Sequence, residues 1–468
     1  MTKLRVLASL LAICLISLSA ASQTPQPIQS TFFGMHGRQL DDSNPQVSFG
    51  AFRFWDTGTR WEQIEHERGQ FQWAHFDEWV SAIAGDPFFQ TNETVFVLGP
   101  GTPTWASSDP TQKKCDYYAE DKVAGTCFPP KDVAKDGSGP DQIWKDWVTA
   151  VATHALASQI HVKYWEIWNE FNDNPHTQSG DWEWAGTNAQ LMRLAEDARC
   201  VITGRGQVQG VPCASKAIDA SAIILSPSFA SKNDWIHLTA AKRYFDQPGA
   251  ADAAEEIAYH NYYPGDPEDA THHTKLIEST LPAVDRARTL ISTEGGWHDD
   301  CQLPDLQAQA SFVAREYLML NTNHVQAHYW YNWYARGHVG WSAGFGFGTL
   351  WNPDGEGKCT STQAGLTPAG VAYQQIYNWM VGATVLPCTQ NRSVSTVYSC
   401  TFSRESNYSG IAIWDSSQTC NTSGCTTRSW PVPKGMDWYR DLAGNLVQID
   451  GSTVQIGLKP ILLENMNR

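Results

Sequence analysis

The chain has 468 residues, with 33 Lys or Arg against 49 Asp or Glu, and its formal charge of -16 would repel phosphate, which excludes a general nucleic-acid binder. Hydrophobic residues at 42% and charged residues at 18% exclude a disordered or fibrous chain. At about 100–200 residues per domain, the length accommodates two or three domains, or one large α/β barrel with an appendage.

Lys3 and Arg5 precede an apolar run from Val6 to Leu18 that ends in Ser19-Ala20-Ala21, the small residues a signal peptidase requires. This predicts a cleaved secretory leader over residues 1–21 and a secreted or periplasmic protein. The run is shorter than the roughly 20 residues of a spanning helix, and no later stretch is longer, so no membrane partner is expected after cleavage.

Beyond the leader, β-branched and aromatic runs alternate with amphipathic stretches at intervals of roughly 40 residues, the texture of repeated βα units. Candidate strands run from Thr31 to His36, Ser48 to Trp55, Thr94 to Leu98, His161 to Trp168, Ala222 to Ser226, Ile257 to His260, Thr289 to Thr293 and Gln326 to Tyr331. Helical patterns fall at Phe76 to Ala84, Gln142 to Ser158, Ala189 to Thr203, Leu276 to Arg288, Leu306 to Thr322 and Pro368 to Val381. Eight such units predict an α/β fold of the (β/α)8 TIM barrel type over residues 22–384. An open doubly wound sheet is the rival, but no Gly-rich phosphate loop follows the first strand. From residue 385 to 468 the composition turns to Ser, Thr, Asn and Gly. Short strand runs at Val397 to Phe402, Gly410 to Trp414, Leu446 to Ile449 and Thr453 to Leu463 predict a small C-terminal β-sandwich that stabilises the barrel without taking part in catalysis.

Eleven cysteines, less Cys14 in the leader, leave an even number suited to disulfides in an oxidising compartment. Pairing neighbours along the chain gives Cys115–Cys127, Cys200–Cys213, Cys301–Cys359, Cys388–Cys400 and Cys420–Cys425. A bridge between Cys301 and Cys359 would tie together the loops after strands seven and eight. None of these spacings is that of a structural zinc site, and neither a cofactor nor a metal is expected.

In a barrel the informative positions are the C-terminal ends of strands, because the loops there build the active site. Strand four ends Trp165-Glu166-Ile167-Trp168-Asn169-Glu170-Phe171-Asn172, and strand seven ends Ser292-Thr293-Glu294-Gly295-Gly296-Trp297. Each delivers a Glu at its exit. Two carboxyls facing each other across a barrel mouth are what glycoside hydrolysis requires: one protonates the leaving oxygen, and the other attacks or activates water.

The Trp168-Asn169-Glu170 and Thr293-Glu294-Gly295 motifs resemble the acid/base and nucleophile motifs of clan A glycoside hydrolases. Arg53 on strand two, His260-Asn261-Tyr262 after strand six and Trp333 after strand eight agree with this. Gly50 to Gly69 and Tyr164 to Asn172 are most similar to glycoside hydrolase family 39 and its relatives, whose activities include β-xylosidase, α-L-iduronidase and exopolysaccharide endo-hydrolase. The resemblance implies a retaining two-glutamate mechanism on an oligosaccharide or polysaccharide. Glu170 is then the acid/base, Glu294 the nucleophile and Asn169 the partner of the sugar 2-hydroxyl. Arg53 and Tyr262 hold Glu294 ionised and oriented. The sequence departs from the commoner pattern at Phe171, where Pro often follows the acid/base, and at Gly295, where an aromatic often follows the nucleophile.

Glu166 shares strand parity with Glu170 but lies deeper, so it is expected to be a buried ion-pair partner, with Arg53 as a candidate mate. His260 is either a satisfied core histidine or a substrate contact. Trp105, Trp297, Trp333 and Trp341, from a chain holding 21 Trp, either stack on sugar or pack in the core. His272-His273 and Asp299-Asp300 read as solvated loop residues rather than metal ligands. The alternative to an enzyme is a catalytically silent carbohydrate-binding protein on the same barrel, which would need neither Glu.

Overall fold

The computed structural model describes residues 26–37, 47–112, 115, 123–172, 183–231, 235–262, 265–297, 303–333, 348–352, 363–405, 407–421 and 424–465. The expected leader, Trp341, Asp299-Asp300 and the Cys301–Cys359 pair lie outside these residues. Among the described residues, no helix is long and apolar enough to cross a membrane.

Nine parallel strands form one sheet: β1 (Phe33–His36), β2 (Phe49–Phe54), β3 (Phe89–Leu98), β4 (His161–Ile167), β5 (Ile223–Leu225), β6 (Phe229–Ala230), β7 (Ile257–Asn261), β8 (Leu290–Gly295) and β9 (His328–Trp330). In space they run β5-β4-β3-β2-β1-β9-β8-β7-β6, so the two edges of the sheet are neighbours in sequence. Leu225 also bridges to Glu256, just before β7, and the Ser226 N–H donates to the Glu256 carbonyl at 2.9 Å. The sheet therefore curls so far that its β5 edge comes alongside the start of β7. Every predicted strand is present; β6, beyond the fifth strand's expected end at Ser226, was not anticipated, and it is divided from β5 at Ser226-Pro227-Ser228, where Pro227 has no N–H to give to a ladder.

Because side chains alternate across a strand, each strand sends every second residue to the inner face. Ala51, Val95, Tyr164, Leu225, Ala258, Ile291, Ala327 and Tyr329 pack there as a separate apolar cluster. Two residues further along β2, β4 and β7 stand Arg53, Glu166 and His260. An apolar floor thus lies beneath a charged layer, set by strand parity.

Helices α1 (Ala74–Gly85), α2 (Gln142–Leu156), α3 (Asn188–Thr203), α4 (Trp235–Phe245), α5 (Ala270–Thr280), α6 (Leu306–Thr322) and α7 (Pro368–Met380) alternate with the strands. Their starts carry the expected chemistry. Thr187 and Gln190 form a capping box for α3, Asp305 accepts from Gln307 and Ala308 ahead of α6, and Thr367 caps α7 with Pro368 in the first turn. The helix expected from Leu276 to Arg288 lies earlier. It spans Ala270–Thr280 and stops because Leu281, preceding Pro282, is forced into an extended conformation. Helix α4 and the early start of β3 at Phe89 were not anticipated.

Antiparallel sheets follow: β10 (Thr384–Val385), β11 (Thr389–Gln390), β12 (Val397–Arg404), β13 (Tyr408–Asp415), β14 (Thr427–Pro431), β15 (Trp438–Arg440), β16 (Leu446–Gln448), β17 (Thr453–Gly457) and β18 (Ile461–Glu464). The main sheet has the order β10-β12-β13-β18-β15-β16 with β11 on β12, while β14 pairs with β17. The run expected from Thr453 to Leu463 is two strands, separated at Leu458-Lys459-Pro460, and β14 and β15 were missed. One face of the main sheet, with Phe402, Ala412, Trp414 and Leu462, joins the core of the helices. The other, with Val397, Ile413, Ile461 and Leu463, packs with Val454 and Ile456 of β17.

Among the described residues, four disulfides join Cys115–Cys127, Cys200–Cys213, Cys388–Cys400 and Cys420–Cys425, four of the neighbour pairings expected from the sequence.

The divided strand is tied to the exit of β4 through Asn172, whose Nδ2 donates to the Ala230 carbonyl at 2.9 Å and whose Oδ1 accepts from the Ala230 N–H at 2.8 Å. Asn172→Ala strands both buried backbone groups and should cost about 2–3 kcal/mol of stability, seen as a lower midpoint in urea at an unchanged slope.

Candidate active site

The charged layer is organised around Arg53. Its Nε and Nη2 donate to Glu166 Oε2 and Oε1 at 2.9 and 2.6 Å, its Nη1 donates to Glu294 Oε2 at 2.9 Å, and Nη2 also reaches Asn169 Oδ1 at 2.8 Å. The ion-pair role expected for Glu166 is the one observed. Such fork-to-fork pairing fixes direction as well as charge.

After β4 the chain turns sharply. Trp168 at φ 58° and Glu170 at φ 39° are both in the left-handed region, which costs residues with a Cβ about 1–2 kcal/mol each. Neighbours impose the conformation. The Trp168 N–H donates to the Leu98 carbonyl at 2.9 Å, its indole to the Glu183 carbonyl at 2.7 Å, and the Phe171 N–H to the Ser228 carbonyl at 3.3 Å. Gly99 leaves room for the indole, since a Cβ there would lie 2.5 Å from the Trp168 ring. The result aims Glu170 at His260, whose Nδ1 is 2.8 Å from Glu170 Oε1.

Glu294 reaches the same point from β8. The β8–β7 register slips between Ser292 and Glu294, and this bulge re-aims the side chain as the strand ends. The Tyr262 hydroxyl donates to Glu294 Oε1 at 2.7 Å, and His260 Nδ1 lies 3.5 Å from Oε2. Gly295 has a steric reason: a Cβ would sit 2.7 Å from the His328 ring and 2.9 Å from the Asn261 carbonyl. One oxygen of Glu170 and one of Glu294 lie within 4.8 Å of each other. Arg53, Glu166 and His260 are sealed from solvent, whereas the Glu170 and Glu294 side chains keep 11% and 9% of their surface. The two motif carboxylates thus keep a path to solvent that Arg53, Glu166 and His260 lack.

Burial opposes charge throughout, and the neighbours decide the outcome. Glu166 is penalised by desolvation, yet the Arg53 charge and the His260 contact hold it down at about 2. For His260, desolvation disfavours the cation, but Glu294, Glu166 and Glu170 carry it up to about 9. Glu294 moves upward: burial is the largest influence, His260 and Arg53 pull the other way, and Glu170 adds to the rise. Arg53 therefore favours the ionised form as expected, but burial outweighs it.

Glu170, His260 and Glu294 offer ligand atoms at a spacing that one cation could use. Arg53 already supplies positive charge to Glu294, through Oε2 at 2.9 Å. Contrary to the solvated-loop expectation, His273 is buried on α5, where it contacts Asn261 Oδ1 at 3.2 Å and the Ser231 carbonyl at 2.9 Å.

The tryptophans are less central. Trp297 is buried against Trp330 and Phe312, and Trp333 against Phe49, so both pack as core residues. Trp105 is half-buried beside Trp61 and under Arg68, and its indole donates to the Glu65 carbonyl at 3.1 Å. Three neighbours of the cluster were missed. His36 donates from Nε2 to the Thr293 carbonyl at 2.9 Å, and the Tyr331 hydroxyl donates to Asp56 Oδ2 at 2.5 Å while its ring lies edge-on to Tyr262. All three stand at or just beyond strand ends, the signal that would have found them.

No family model matches this chain, and no curated protein matches it. Solved structures do share its fold. A family 39 glycoside hydrolase from the gut symbiont Bacteroides cellulosilyticus WH2 aligns with a TM-score of 0.56 at 15% identity, over 89% of this chain and 75% of its own. A conserved exported protein from Bacteroides fragilis aligns at 0.53 and 11% identity, over 93% and 92%. A family 44 xyloglucanase from Paenibacillus polymyxa aligns at 0.52 and 10% identity, over 94% and 97%. At these identities the likeness is one of fold.

Glu166→Gln breaks a buried pair and should cost about 3–5 kcal/mol in chemical unfolding at neutral pH. The pH dependence has a definite sign. Glu166, with its pKa depressed from 4.5, contributes stability above pH 4.5 that is lost as pH falls through about 2. His260, raised from 6.5, contributes stability below pH 6.5 that is lost as pH rises through about 9. In His260→Asn the alkaline loss should disappear from the stability-versus-pH curve.

Proposed function

We propose that this protein is an exported retaining glycoside hydrolase that cleaves β-linked oligo- or polysaccharides. A catalytic (β/α)8 barrel would span residues 22–384 and a β-sandwich residues 385–468. The observation that carries this reading is the approach of Glu170 and Glu294 oxygens within 4.8 Å at the rim of a parallel sheet. Retaining enzymes hold their carboxyls about 5–5.5 Å apart, whereas inverting enzymes need about 6.5–9.5 Å for an intervening water. Fold relatives that include a family 39 glycoside hydrolase and a xyloglucanase support a carbohydrate substrate. Four disulfides and an exported fold relative support an oxidising compartment.

In this mechanism Glu294 attacks the anomeric carbon while Glu170 protonates the departing glycosidic oxygen. The bond to that oxygen breaks and a glycosyl ester forms on Glu294. Water, deprotonated by Glu170, then attacks the same carbon and releases Glu294, so the configuration is inverted twice and retained. Arg53 and Tyr262 would grip the two oxygens of Glu294, which turns it edge-on to the sugar and stabilises it as a leaving group. Asn169, whose Oδ1 is held by Arg53, would donate from its Nδ2 to the 2-hydroxyl. The proton for the first step would lie in the 2.8 Å contact between His260 and Glu170.

The test is sugar release from a panel of chromogenic β-xylosides, β-glucosides, β-galactosides and glucuronides, and from polysaccharides including xyloglucan. The product anomer would be followed by proton NMR. Release with retention is expected, an inverted anomer would overturn the mechanism, and binding without release would mark a silent carbohydrate-binding protein. Glu294→Ala should lose on the order of 10⁴-fold in kcat. In Glu170→Ala, azide should restore turnover and give the glycosyl azide of retained configuration.

The kcat/KM profile should fall on the acid side above the ordinary value of 4.5, because burial raises Glu294 and the attacking form must be ionised. On the alkaline side it should fall near about 9, as the proton shared with His260 is lost. Tyr262→Phe should move the acid limb to higher pH, since its hydroxyl favours the carboxylate.

A further inference from the structure

Behind the site, a second charged group joins the parallel and antiparallel parts of the molecule. Arg315 on α6 is 2% exposed. Its Nε donates to Glu268 Oε1 at 2.7 Å, and its Nη2 pairs with Glu268 Oε2 and, at 3.2 Å, with Asp266 Oδ1. Glu268 Oε1 also accepts from the C-terminal sheet, from the Trp414 indole of β13, at 2.5 Å. Trp414 has no exposed surface and stacks on Tyr398 at a centroid distance of 5.5 Å.

Asp266 and Glu268 lie on the segment that leaves β7 directly after Asn261 and Tyr262. The next residue of α6, Glu316, accepts from Asn261 Nδ2 at 2.8 Å, and His273 approaches Asn261 Oδ1 at 3.2 Å. Adjacent residues of one helix therefore grip Asn261, next to Tyr262, on one side and Asp266 and Glu268 on the other.

Apolar side chains could have packed this junction without desolvating an arginine and a carboxylate, so the charged arrangement points to a demand for direction rather than adhesion. The group whose direction matters is the Tyr262 hydroxyl, 2.7 Å from Glu294 Oε1. We infer that Trp414, Glu268 and Arg315 are positioning residues through which the C-terminal sheet fixes the segment that presents Tyr262 to Glu294. The sheet thereby has a part in the chemistry, against the purely stabilising role expected from the sequence. This inference rests on the reading of Glu294 as the nucleophile.

The acid limb of kcat/KM reports every group facing Glu294, namely Arg53, His260, Glu170, Asp56 and Tyr262. Of these, Tyr262 belongs to the gripped segment. In the full-length protein, Trp414→Phe should lower kcat/KM about three- to tenfold, move the acid limb upward, and speed amide hydrogen exchange across residues 257–262 and 265–268. In a Tyr262→Phe background the same change should add no further shift. Lys459→Ala loosens another contact of α6 with the C-terminal region, the 2.7 Å bond to Gln307, and should leave the acid limb where it is.

A folded Trp414→Phe protein with the parent's limb and exchange rates would overturn the inference, as would full additivity with Tyr262→Phe. Glu268→Gln supplies the same comparison if Trp414→Phe does not fold. Should the parent protein release no sugar from any substrate, the hydrolase reading falls. The exchange comparison still decides whether Trp414 orders the segment.

Discussion

Arg53 has no exposed surface, and a guanidinium so buried must find its counter-charges inside the protein. It finds two carboxylates from different strands, Glu166 of β4 and Glu294 of β8, together with the amide oxygen of Asn169. Much of the site follows from this requirement. The bidentate pair with Glu166 uses one edge of the guanidinium and sets its plane. The remaining nitrogens then point to Glu294 and to the turn that carries Glu170. His260, enclosed by three carboxylates, is a second buried cation held by the same logic.

The rest of the sheet serves to bring these groups to one height. Strand parity places Arg53, Glu166 and His260 two residues above an apolar floor, but it cannot by itself place Glu170, which lies beyond the end of β4, or Glu294, which follows a register slip in β8. Each needs an irregularity. For Glu294 it is the bulge in β8; for Glu170 it is a turn with two left-handed residues that neighbouring strands must hold against their preference. The divided fifth strand supplies part of that hold, because a ladder broken at Pro227 frees Ser228 and Ala230 to bond with residues 171 and 172. A break in one strand thus supports the turn after another.

How much of this was legible depends on the range of the interaction. Strands, most helices and four disulfides follow from local pattern and neighbour spacing, as in α6 from Leu306 to Thr322. The two glutamates and their distinct motifs were readable because each lies within a few residues of an apolar strand's end. Errors arose where a long-range partner or a single proline overruled the pattern. Pro282 ended α5 early, Pro460 divided the last strand run, and His273, which looks like a loop residue, is buried because Asn261 and Ser231 bond to it. The tryptophans show the same limit. Aromatic residues near strand exits have one sequence signature whether they line a cleft or fill a core, and Trp297 and Trp333 fill the core.

By itself the sequence determined the order of elements, the parity that turns Arg53, Glu166 and His260 inward, and the presence of two carboxyls at strand ends, because each depends on contacts or periodicities a few residues long. Tertiary structure alone decided which charges meet. It set the balance between burial and neighbouring cations that raises Glu294 and lowers Glu166, and it joined Trp414 of the last sheet to Glu268. The physical reason is that desolvation and Coulomb energy depend on distances between residues far apart in the chain, and a linear pattern does not contain those distances.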